Sequence, residues 1–96
     1  MTGSPALPTL LFYRRDGCHL CDDAREALQA VLEERAAQGS RIPRVREVDI
    51  DRDEEAQRRY MEAIPVLALD GAELRLATGY RSIHRFLQRS LDAGLA

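Results

Sequence analysis

The sequence predicts a small α/β domain in which strands and helices follow the order βαβαββα, a four-stranded mixed sheet with helices on both faces. Three observations carry this expectation. Two strand-like runs flank one long helical pattern, which closes as a right-handed parallel crossover. An Asp70-Gly71 pair between two further strand-like runs has the chemistry of a tight antiparallel turn. A last amphipathic pattern follows Gly79 and supplies the closing helix. Residues 1–8 are assigned to an N-terminal tail and residues 9–93 to a single domain.

The first strand is "TLLFY", residues 9–13, an apolar and aromatic run after Pro8 that suits a buried central position. It delivers the chain into "RRDGCHLC". From there Leu20, Ala24, Ala27, Leu28, Val31 and Leu32 recur at steps of three and four, the inward face of a helix that Gly39 can end. In "RVREVDID", Val48 and Ile50 alternate with Asp49 and Asp51, a second strand with one wet face. "DRDE" has the pattern of a capping box, with Asp51 as cap and Glu54 reaching back, for a short helix ending near Tyr60. Pro65 opens a third strand over residues 66–69, and residues 73–77 return after the turn. Ile83, Phe86, Leu87 and Leu91 mark the buried stripe of the last helix, which leaves His84 on its surface side. Phe12, Tyr13 and Tyr60 are core candidates, and Tyr80 is expected to pack against the sheet.

Composition removes several function classes. All fourteen cationic side chains are arginines, but sixteen acidic residues are interleaved with them and the net charge is -2, so no nucleic-acid footprint is indicated. "MTGSPALP" lacks the basic start and apolar stretch of a secretory signal, and no run is long enough to cross a bilayer. The expectation is a cytoplasmic protein with no membrane partner. Nothing in the sequence marks an interface, so a monomer is expected.

Cytosolic reductants keep ordinary thiols reduced, which disfavours a permanent staple, and a loop this short adds little stability in any case. The two cysteines, Cys18 and Cys21, lie at the start of the first predicted helix. A sulfur there meets unpaired backbone N–H groups and the positive end of the helix dipole, both of which favour thiolate. Cys18 is therefore the candidate nucleophile, and Cys21, one turn deeper, can attack a mixed disulfide formed at Cys18. Arg15 and a protonated His19 are candidates for tuning the pair, whereas Asp22 and Asp23 suit a first helical turn and Arg81 and Ser82 are read as solvated. A metal site is not predicted: adjacent Cys18 and His19 cannot readily aim at one tetrahedral centre, and no second cysteine pair exists. Asp22 stands where a c-type haem would need its histidine.

With "LLFYRRDGCHLCDDAREAL" and "YMEAIPVLALDG" in view, the chain resembles, over nearly its whole length, small bacterial glutaredoxin-like proteins of the thioredoxin-fold superfamily, usually catalogued as a domain of unknown function. The resemblance implies that Cys18 is the exposed attacking thiol, Cys21 the resolving one, and that the Ile64-Pro65 bond is cis, with Ile64, Pro65 and Gly79 contacting substrate. It implies no bound cofactor and makes glutathione the candidate co-substrate. The chain departs from ordinary glutaredoxins at Ala63, where they carry threonine, and at Tyr80 and Ile83, where they carry a second glycine and a glutathione-holding aspartate. The expected function is a thiol-disulfide oxidoreductase acting on a disulfide-containing protein or small-thiol substrate. The alternatives are a docking protein or redox sensor of the same fold and, behind these, zinc or a cluster shared between two chains.

Overall fold

The computed structural model describes residues 7–92, so residues 1–6 of the expected tail and residue 93 lie outside the described residues. The elements are β1 (Thr9–Arg14), α1 (His19–Ala37), β2 (Arg44–Asp49), a 3-10 turn (Ile50–Arg52), α2 (Glu54–Tyr60), β3 (Val66–Leu69), β4 (Ala72–Arg75) and α3 (Tyr80–Asp92). The sheet order is β2-β1-β3-β4, with β1 parallel to β2 and the other neighbours antiparallel.

Register divides the core in two. Phe12 opposes Leu67 and Leu11 opposes Ala68, so Leu10, Phe12, Leu67 and Leu69 share one face. That face packs on Ala24, Leu28 and Val31 of α1 and on Ile83 and Leu87 of α3. Val66 looks the other way, into a smaller cluster with Ile50, Ala56, Tyr60 and Ala63. Half-buried Tyr13 and Val48 pack against that cluster, and the Tyr13 and Tyr60 rings are 4.4 Å apart. Two helices thus cover one face and short α2 covers the other.

The structure differs from the sequence expectation in three places, the last two because a local polar contact wins over periodicity. The inward stripe of α1 runs through Cys21, Ala24, Leu28, Val31 and Arg35, so Leu20, next to Cys21 and turned about 100° from it, is 49% exposed. The second strand stops at Asp49, whose carboxylate accepts the Asp51 N–H at 3.0 Å and starts a 3-10 turn, leaving Ile50 buried but outside the sheet. Asp53, not Asp51, then caps α2 by accepting the Ala56 N–H at 3.0 Å, and Glu54 is the first helical residue rather than the reciprocal partner of a capping box.

The expected ends of α1 and of the hairpin are present. Gly39 takes a left-handed φ of +73°, with its N–H on Ala36 and the Ser40 N–H on Arg35, a double-bonded helix end. Asp70 and Gly71 both have positive φ, as a two-residue hairpin turn requires. β4 ends at Arg75, earlier than residue 77: Leu76 adopts φ +51°, and Ala77 turns inward with its N–H on the Pro65 carbonyl at 2.8 Å.

Tyr80 is not packed in the core. It lies exposed, stacked on His84 with ring centroids 5.9 Å apart, and its hydroxyl donates to Glu34. His84 is half-buried rather than freely exposed, with Nδ1 4.0 Å from the Glu34 carboxylate.

Candidate active site

β1 ends in the centre of the sheet, and Gly17, at φ +77°, turns the chain from the strand towards α1. Cys18 follows as the N-cap of α1, with an extended backbone and its Sγ accepting the Cys21 N–H at 3.0 Å. Its carbonyl accepts the Asp22 N–H at 3.1 Å, the first helical bond. Cys18 is half-buried, whereas Cys21 is 1% exposed and belongs to the larger core cluster. The two sulfurs are joined as a disulfide, with Cα atoms 5.2 Å apart. One half-buried cysteine is thus placed at a helix N-terminus, and the other is buried behind it.

His19 is the first helical residue and is exposed. Asp22 is a solvated first-turn acid paired with Arg25 at 3.1 Å, and Asp23 is likewise exposed. Arg15 is committed elsewhere. Its guanidinium grips Asp51 with two hydrogen bonds, of 2.6 and 3.3 Å, and this contact lowers the Asp51 pKa below the usual carboxylate value. Gln57 donates to the same carboxylate at 3.3 Å. Asp51 escaped the sequence reading because it lies 36 positions from Arg15 and its neighbourhood resembles a helix cap.

The Ile64-Pro65 peptide bond is cis. Pro65 is buried, and half-buried Ile64 borders both core clusters; Cys18 borders the larger of the two. The Ile64 N–H is occupied by the Tyr60 carbonyl at 3.1 Å, while no backbone donor among the described residues reaches the Ile64 carbonyl. The adjoining carbonyls are taken, Ala63 by the Leu76 N–H at 2.9 Å and Pro65 by the Ala77 N–H. This stitches the end of the hairpin to the proline loop. Gly79 precedes α3, and its carbonyl accepts the Ile83 N–H at 3.1 Å. A Cβ added there meets nothing closer than Ser82 Oγ at 3.9 Å, so no close backbone approach explains the glycine.

Among the described residues, no three His, Cys, Asp or Glu side chains are grouped as metal ligands, and no helix is long and apolar enough to cross a membrane. What the cysteine site offers chemically is a disulfide between a half-buried and a buried cysteine, a bond open to thiol exchange in principle.

Residues 9–96 match the model of a family described as Glutaredoxin-like domain (DUF836). No curated protein matches the chain. Among solved structures, the X-ray structure of the structural genomics target XcR50 from X. campestris is 32% identical, over 82% of this chain and 95% of that one, with a TM-score of 0.66. Its solution structure is 31% identical over 82% and 91%, with a TM-score of 0.61. The solution structure of Ne2328 from Nitrosomonas europaea, at 24% identity over 90% and 98% with a TM-score of 0.64, shares the fold. The family and the cysteine pair together support a redox-related role on a thioredoxin-like fold. The chain belongs to the glutaredoxin-like domain family.

Proposed function

We propose that this protein is a thiol-disulfide oxidoreductase that cycles Cys18-Cys21 between dithiol and disulfide. The observation that carries the reading is the division of labour at the start of α1: the Cys18 sulfur accepts the Cys21 N–H at a helix N-terminus, and Cys21 itself is buried. A thiolate at Cys18 is stabilised by that N–H and by the helix dipole. It attacks one sulfur of the substrate disulfide, whose S–S bond breaks, and the departing sulfur takes a proton. Cys21 then gives up its proton and attacks the Cys18 sulfur; the mixed disulfide breaks and the second substrate thiol leaves. The substrate gains two electrons and two protons, and the protein keeps the disulfide.

Two molecules of an external thiol, with glutathione as the candidate co-substrate, reverse the exchange and restore the dithiol. A reducing cytoplasm suits such a cycle. In this reading the Ile64 carbonyl receives a substrate N–H beside Pro65, with Gly79 bordering the bound chain, and the Ile64 N–H, already taken by Tyr60, plays no part. His19, adjacent to Cys18, is the tuning side chain in this reading, while Arg15 is paired with Asp51.

Cys18→Ser is expected to abolish reduction of a model disulfide, and Cys21→Ser to accumulate a mixed disulfide visible by mass spectrometry. Turnover at the wild-type rate in both variants would refute the reading.

A further inference from the structure

Most surface arginines near the sheet face carboxylates: Arg15 faces Asp51, Arg25 faces Glu47 and Asp22, and Arg59 and Arg75 both approach Glu73. Among the described residues exposed Arg44, Arg46 and Arg58 have no ion pair, and the same holds for three arginines that share one helix, Arg81, Arg85 and Arg89. These three recur every four residues along α3, and all are exposed. This is an uncompensated basic stripe on a chain whose net charge is -2.

The stripe borders a groove of about 260 Å³ between α3 and β4, lined by Glu73, Leu74, Ser82, Arg85, Phe86 and Arg89. Leu74 and Phe86 give it an apolar floor. The Glu73 carboxylate is engaged by the Tyr60 hydroxyl and approached by Arg59 and Arg75, so it does not neutralise Arg85. Among the described residues β4 is the last strand of the sheet and pairs only with β3, which leaves its outer backbone edge open.

From these features we infer that α3 and the open edge of β4 form a docking groove for an acidic, extended polypeptide segment, added to the sheet as a fifth strand. The spacing suits it. Four residues of α-helix advance about 6 Å, close to the roughly 6.6 Å between same-face residues i and i+2 of a strand. Acidic side chains at alternate positions of the added strand therefore match successive arginines, while its backbone pairs with β4. An anionic lipid surface fits less well, because the apolar floor is recessed between strand and helix and offers no exposed wedge. The groove shares no residue with the cysteine site, so the inference does not depend on the redox reading.

The test is amide-shift mapping and fluorescence titration of the full chain with a short synthetic peptide of alternating glutamate and valine. A peptide with lysine for glutamate serves as control, and phosphatidylglycerol vesicles form a separate arm. The glutamate peptide should bind, with shifts concentrated at Ala72–Arg75 and along α3, and the lysine peptide should not. Arg85→Glu combined with Arg89→Glu should weaken binding at least about tenfold and allow the lysine peptide to bind, with disulfide-reducing activity unchanged. No binding of the glutamate peptide, shifts that spare β4, or unchanged affinity in the double variant each overturn the inference. Binding of vesicles but not of peptide would replace it with a membrane surface.

Discussion

Cys18 occupies a position that usually holds an oxygen-bearing cap, and its sulfur takes over the capping bond from the Cys21 N–H. That substitution places a sulfur where a helix end stabilises negative charge, and the apolar pattern that begins at Leu20 made a position at the helix start legible. The charge around it was not. Arg15 was visible as a cation three positions away, but its carboxylate partner comes from the far end of the β2 segment, and no local pattern announces a contact across 36 positions. Asp51 pairs with the Arg15 guanidinium and offsets its charge. Asp51→Asn should therefore free the charge and speed alkylation of reduced Cys18 by iodoacetamide at neutral pH, by about twofold for a unit charge acting through solvent. A rate equal to wild type would remove the Arg15-Asp51 pair from any tuning role.

At the scale of elements, periodicity and turn and cap chemistry located the three α-helices and four strands but not the 3-10 turn at Ile50–Arg52, and polar contacts moved several boundaries. The pattern "DRDE" points to Asp51 as the cap of α2, and the structure uses Asp53 instead. Asp53→Ala should cost about 1 kcal/mol of stability, read from the denaturant midpoint. Asp51→Ala, which removes only exposed contacts to Arg15 and Gln57, should cost less. The reverse order would reinstate the cap expected from sequence. The junction of α1 and α3 depends on Arg35, buried at 3% exposure yet charged, which donates to the Arg41 carbonyl at 2.7 Å and to Asp92 at 2.8 Å. Helical spacing places Arg35 on the inward stripe, but an arginine there reads as surface until its partners are known. Hydrogen bonding to Arg35 lowers the Asp92 pKa, so its contribution is present above the unfolded carboxylate pKa and is lost as pH falls through the folded value. Asp92→Asn should lower the urea midpoint at neutral pH and flatten its decline on acidification below about pH 4. An acid limb parallel to wild type would show that Asp92 is not a source of that decline.

For the whole molecule, the order of elements, the parallel crossover and the hairpin followed from hydrophobic period and turn chemistry, because one thin core leaves few ways to bury the apolar runs. Val66 and Leu67 serve opposite clusters, as strand alternation requires, but nothing local shows that Tyr80, aromatic and next to a glycine, stays at the surface, where Glu34 and His84 hold it. The fold brings the α1 N-terminus and the Ile64-Pro65 loop to the border of one core, and the proposed chemistry depends on that juxtaposition. The most direct test is a redox titration of the purified full chain in buffered thiol-disulfide mixtures, with free thiols trapped by alkylation and counted by mass. The account predicts one reversible two-electron transition between dithiol and intramolecular Cys18-Cys21 disulfide, with a midpoint within about -200 to -300 mV. A pair that stays reduced at every poise, or that forms only disulfides between chains, would contradict it.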